Sequence, residues 1–250
     1  MQTELLVALG LGLPLLGTTL GAAGALGLRR ASERGERLAL GFAAGVMLAA
    51  SVWSLLLPAI DAAAARGLPS WWPAVGGFLA GTLALGLLRR AAERRFGGGE
   101  RRRVFLLACS VTLHNIPEGM AVGAALASAL AGDAPLAGAL ALSFGIAVQN
   151  VPEGGVIALP LALAGRGRSR AFAAGVLSGV VEPLAGALGL ALTALTGALL
   201  PWALSFAAGC MFFVVTEELL GAPEEDGACL SAASAAVGFA PMMLLDVALG

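Results

Sequence analysis

Of the 250 residues, 58% are hydrophobic and 12% are Asp, Glu, Lys or Arg, about half the charged fraction of a water-soluble domain, and this excludes one. The 15 basic and 16 acidic residues nearly cancel, so no nucleic-acid-binding surface is expected. A chain with 36 Gly, no Tyr and 6% aromatic residues fits closely packed transmembrane helices and excludes a β-barrel with aromatic girdles.

The apolar runs predict eight spans, at about 5–28, 38–60, 70–88, 104–130, 135–162, 171–194, 200–220 and 229–248. The expected fold is an all-α polytopic membrane protein, one domain over 1–250. Span one lacks the basic start of a signal peptide and is followed by further apolar segments, so it reads as a membrane span ending at Arg29-Arg30. Span two, "GVMLAASVWSLLLPAID", carries Met47, Ser54 and Asp61. Met47 and Ser54 are seven apart and share a helical face; the methionine reads either as core packing or as a thioether ligand. Span three opens on Trp71-Trp72, residues suited to a membrane interface, and ends at Arg89-Arg90. The charged, glycine-containing stretch after it predicts a flexible cytoplasmic loop at about 91–103.

All 15 basic residues are arginines, and if the spans alternate in direction every one except Arg66 falls in the linkers on one side. Positive charge is retained on the cytoplasmic face, so those linkers are expected inside the cell and both termini outside. The expected location is a cell membrane, crossed several times.

The chemistry begins in span four. "LHNIPEGMAVG" there is repeated as "VQNVPEGGVIALP" in span five: His114, Asn115, Pro117, Glu118 and Gly119 match Gln149, Asn150, Pro152, Glu153 and Gly154. His114 and Glu118 share one helical face, as do Gln149 and Glu153, with Asn115 and Asn150 three residues before their glutamates. Pro117 and Pro152 deprive the carbonyls of Leu113 and Val148 of their helical donors, which predicts broken helices lining a cavity. Gly119 and Gly154 are expected to clear bulk beside that opening. The bland alternative makes these units kinks that hold neighbouring helices together. The glutamates count against it, because a carboxylate at the bilayer centre costs roughly 2.5–3.5 kcal/mol on insertion scales.

Span six adds Glu182 in "SGVVEPLAG". Three carboxylates without an arginine in these spans call for a divalent cation, or two bridged by Glu118 and Glu153. Glu217 and Glu218 close span seven, either as ligands on the metal path or as a solvated cap. Cys109, Cys210 and Cys229 form no CxxC pair and read as packing residues. One imidazole with carboxylates and amides suits zinc, cadmium, ferrous iron or manganese better than calcium or magnesium. With one histidine and no HExxH pattern, an intramembrane metalloenzyme is the weaker alternative; a monovalent-cation or proton carrier is the stronger rival.

"HNIPEG", "QNVPEG", "VEP" and "EEL", in this order, resemble a bacterial ZIP-family divalent-metal transporter, closest in style to the GufA-like branch. The resemblance covers nearly the whole chain and implies a ZIP-like bundle with a binuclear metal site. Met47, His114, Glu118, Gln149 and Glu153 would surround one metal. Asn115, Asn150 and Glu182 would serve the second, with Glu118 and Glu153 bridging. Ser54 and Asp61 would line the outer approach, and Glu217 with Glu218 would lie near the path. The resemblance also implies that spans one, four, five and six move against the others. The loop between spans three and four departs from many relatives in having arginines and no histidine. Zn2+ is the expected substrate, with Cd2+, Fe2+ or Mn2+ accepted. No prosthetic group is expected; the expected partners are divalent metal ions, membrane lipid and a second copy in a homodimer.

Overall fold

A computed structural model describes residues 2–27, 33–96, 100–132, 135–163, 165–219 and 228–249, and its regular elements are all helical. They are α1 (Gln2–Gly27), α2 (Glu33–Ala50), a π-helical segment (Ser51–Leu56) running into α3 (Leu57–Ala65), α4 (Trp71–Phe96), α5 (Glu100–Ala131), α6 (Leu136–Leu163), α7 (Arg168–Gly179), α8 (Val181–Ala191), α9 (Thr193–Val214), a second π-helical segment (Val215–Leu219) and α10 (Ala228–Leu249).

Helix occupies each of the eight apolar runs, and the chain is an all-α polytopic membrane protein. Among the described residues, five stretches are long and apolar enough to cross a membrane: Thr3–Gly27, Arg37–Ala65, Trp71–Arg95, Arg168–Ala191 and Leu199–Glu217; Cys229–Leu245 is a shorter apolar helix. The expected count of eight spans is therefore not reached on length and hydropathy. Outside these stretches lie α5 and α6, 32 and 28 residues long, with the repeated polar motifs in their middles.

The expectation about the proline breaks is corrected. Pro117 and Pro152 do not break their helices: α5 and α6 run through them, each losing one backbone bond without losing its course. The breaks fall elsewhere. Pro183 cannot donate to the carbonyl of Gly179, and the helix is interrupted at Val180, between α7 and α8, so that Glu182 sits in the first turn of α8. Pro58 likewise cannot donate to Ser54, and just before it the amide of Leu57 bonds the carbonyl of Val52, one residue further back than in an α-helix. The flexible loop expected at about 91–103 is helical at both ends, since α4 continues to Phe96 and α5 begins at Glu100; residues 97–99 lie outside the described residues.

The helices sort into two groups. In one, α1 packs on α6 and α7, and α5 on α8 and α6; in the other, α2 packs on α10, and α4 and α3 on α9. The groups meet where α5 crosses α9 and α2 crosses α6. Glycine makes several of these contacts possible: a Cβ at Gly45 would run into the carbonyl of Ala235, and one at Gly81 into that of Phe206. Small residues let backbones meet where lipid provides no hydrophobic drive for helix association. Arginine pairs tie one end of the bundle together. Arg89 of α4 pairs with Glu217 after α9, while Glu93 of α4 accepts from Arg102 of α5 at 3.1 Å. The three cysteines are free; Cys210 is buried, with its thiol 3.5 Å from the carbonyl of Gly81, as packing predicts.

Candidate metal centre

The repeated motifs meet face to face. His114 and Glu118 lie one turn apart on α5, Gln149 and Glu153 one turn apart on α6, and all four are buried. One ligand atom each from His114, Glu118 and Glu153 can be chosen so that all lie within 4.8 Å of one another. His114 Nε2 is 3.1 Å from Glu153 Oε2, and Gln149 Nε2 donates to Glu118 Oε1 at 2.7 Å, so each pairing joins α5 to α6. Among the described contacts no arginine is paired with Glu153; its partner is the imidazole of His114. Carboxylates desolvated to this degree need a positive charge to be stable.

A second polar cluster lies alongside. Asn150 Nδ2 donates to Glu182 Oε2 at 2.7 Å and to the carbonyl of Pro14 at 3.3 Å, while Asn115 Nδ2 donates to the carbonyl of Ser178 at 3.0 Å. The orientation of the amides is informative. Asn115, Asn150 and Gln149 direct their NH2 groups to protein acceptors, leaving Asn115 Oδ1, Asn150 Oδ1 and Gln149 Oε1 buried without donors, along with Glu153 Oε1. An acceptor left so is costly, at about 1–3 kcal/mol each. Bound metal would relieve such acceptors, and the donor set of imidazole, carboxylate and amide oxygen fits a borderline divalent metal.

The other residues singled out from the sequence are placed as follows. Met47 is buried in an apolar cluster with Leu55, Met211 and Val214, and this cluster reaches Leu113, the residue before His114. Ser54 and Glu118 line one cavity of about 310 Å3, together with Pro58, Ile146 and Leu204. The cavity lies between the first π-helical segment and Glu118. Asp61 is exposed two turns beyond Ser54. Glu217 lies on the second π-helical segment with its carboxylate paired to Arg89, apart from the buried cluster; the side chain of Glu218 lies outside the described residues. A larger groove of about 770 Å3 between α1, α6, α2 and α10 is lined by apolar side chains and Ser234, so it lacks metal-binding chemistry.

A family model described as ZIP Zinc transporter matches residues 90–246, which include both motifs and Glu182. The chain belongs to this family. It is similar to the Zinc transporter ZIPB of Bordetella bronchiseptica, 38% identical over 245 residues that cover 93% of this chain and 78% of the relative. It is also similar to the Zinc transporter ZIP11 of Homo sapiens, at 32% identity over 84% of this chain and 87% of the relative. Similarity to the Zinc transporter GufA of Myxococcus xanthus is 34% and covers 62% of this chain and 59% of the relative.

ZIP membership makes the chain a transporter and not an enzyme, and the buried cluster is read accordingly as a place where cargo rests. Two groups in this ZIP centre escaped the sequence reading: Thr18 with the Pro14 carbonyl on α1, and the Ser178 carbonyl on α7. The motif glycines also act differently from the expectation. A Cβ on Gly119 would meet the carbonyl of Glu182, and one on Gly154 the carbonyl of Thr18. They bring α8 and α1 up against the motif helices and do not clear an opening. Gly119→Ala is therefore expected to lower stability by about 1–3 kcal/mol through overpacking. Thermal unfolding of the detergent-purified protein measures this, and an unchanged midpoint would show that α8 yields without cost.

Proposed function

We propose that this chain takes a divalent transition metal, zinc foremost, into the cell across a bacterial cytoplasmic membrane. The observation that carries the proposal is the convergence of His114, Glu118 and Glu153 within 4.8 Å, fully buried at the meeting of α5 and α6. In this reading the eight helical runs are eight spans and the protein is of the GufA-like type.

Two metals would sit side by side. His114 and Gln149 serve one, with Met47 approaching it from α2; Asn115, Asn150 and Glu182 serve the other; Glu118 and Glu153 bridge. The ion would enter past Asp61 and Ser54, shed water in the cavity beside Glu118, and leave towards Glu217 and Glu218. The two helix groups would shift against each other to change which side is open. A dication falling through 100 mV, inside negative, gains about 4.6 kcal/mol, which is sufficient to drive uptake without another coupled ion.

Flux into sealed liposomes containing the purified protein tests the proposal. Zinc is expected to enter down an imposed potential, and protein that moves protons or sodium but no transition metal would overturn it. Orientation is tested separately, in cells. A cysteine replacing Gly98, in the arginine-rich linker, should react with a membrane-impermeant thiol reagent only after the cytoplasmic side is opened. Labelling of intact cells would reverse the proposed topology.

A further inference from the structure

We infer that Thr18 is a positioning residue for the second metal: its hydroxyl, reaching across from α1, holds the carboxylate of Glu182 in the direction in which it ligates. The inference rests on the two-metal reading above. Thr18 is fully buried, and its Oγ1 lies 3.4 Å from Glu182 Oε1 and 3.3 Å from the carbonyl of Pro14. The bond to Pro14, four residues back, is what a helical threonine makes in any apolar setting. Here the single hydroxyl proton is shared between that carbonyl and Glu182 Oε1. The hydroxyl engages one carboxylate oxygen from α1 while Asn150 Nδ2 engages the other from α6 at 2.7 Å, so Glu182 is held from two sides. Asn150 is itself tied to α1, since the same amide nitrogen reaches the Pro14 carbonyl at 3.3 Å. One turn of α1 thus supports both the carboxylate and the amide that would meet the second metal.

The packing keeps that turn in place. Gly179 lies so near Thr18 that a Cβ there would stand 2.8 Å from the threonine's Cβ and Oγ1 and 2.9 Å from its Cγ2. The threonine methyl and hydroxyl therefore have little room to rotate. On the other side the backbone of Thr18 is pressed against Gly154, the glycine of the second motif. Partners of this kind fix the direction of a ligand and raise its affinity for metal without touching the ion.

Valine at this position keeps the shape and removes only the hydroxyl; serine keeps the hydroxyl and removes the methyl. The test is a zinc titration by calorimetry of the full-length chain in detergent, with Thr18→Val and Thr18→Ser compared with the unaltered protein. The unaltered chain is expected to bind two zinc ions. Thr18→Val should bind the first normally and the second about 10–100-fold more weakly, with Thr18→Ser restoring the second. Retention of the first ion also reports that the variant is folded. If Thr18→Val loses both, Thr18→Ala, which cannot overfill the space beside Gly179, decides by the same comparison. Unchanged binding of the second zinc by a variant without the hydroxyl would overturn the role of Thr18. A single zinc on the unaltered chain would overturn the two-metal reading, and this inference with it.

Discussion

Glu118→Gln and Glu153→Gln are each expected to lower zinc uptake by at least about tenfold while the protein still reaches the membrane and folds. The substitution barely alters volume and leaves an oxygen where the carboxylate had two, so it removes charge and ligand strength and little else. Both side chains are buried, and each is tied to the opposite helix: Glu118 accepts from Gln149, and Glu153 faces His114. The neutral amides are better suited than the carboxylates to a dry interior, so the variants should be no less stable than the parent when no metal is bound. Loss of transport with retained or raised stability separates a cargo site from a packing device. Uptake near the normal rate by either folded variant would remove that glutamate from the metal path and leave helix packing as its purpose. Radioactive zinc uptake, normalised to protein in the membrane, provides the rate.

The part of the site that could be read from the sequence is the part encoded locally. His114 with Glu118, and Gln149 with Glu153, are set by a four-residue spacing that any helix turns into a shared face, and the repeat shows that the two faces belong together. Glu182 stood out as a carboxylate in an apolar run. Thr18 did not, because a buried threonine in a glycine-rich helix differs in no local way from Thr19, whose hydroxyl bonds only its own helix at Leu15. Its role depends on α1 lying against α6, α7 and the start of α8, which in the case of Glu182 brings together residues 164 positions apart.

Backbone irregularities were legible only in part. Each proline removes one donor, but the sequence does not say whether the helix continues, as at Pro117 and Pro152, breaks, as at Pro183, or widens into a π-helical segment, as before Pro58. Neighbouring helices decide among these outcomes by what they press against the freed carbonyl. The π-helical segment that carries Glu217 has no proline within it and gave no sequence signal. The arginines of the 3–4 linker were read as loop because charge and glycine suggest solvent. Pairing of Arg89 with Glu93 and Glu217, and of Arg102 with Glu93, instead accompanies helix on both sides of the linker.

His114→Ala is expected to change which metal is carried more than whether any is carried. His114 is the only imidazole in the chain, and its removal leaves carboxylates and amide oxygens with the Met47 thioether, a set that distinguishes zinc from harder ions less well. Zinc and cadmium uptake should fall by at least about tenfold, and manganese, which depends less on nitrogen ligands, should fall less. The imidazole also faces Glu153 at 3.1 Å, so its loss leaves that carboxylate without its nearest protein partner. Glu153 is then oriented by the metal alone, and an ion content with oxygen ligands is favoured. Competition uptake in liposomes, with zinc, cadmium, iron, manganese and magnesium under matched gradients, measures the ratio directly. An equal fall for all of them would mean that His114 supports the fold of the site and does not select its cargo. A parent protein that moves magnesium or sodium, but none of the four transition metals, would remove the transition-metal assignment altogether. A preference for iron over zinc would change the principal cargo and leave the site intact, since imidazole and carboxylate accommodate both ions.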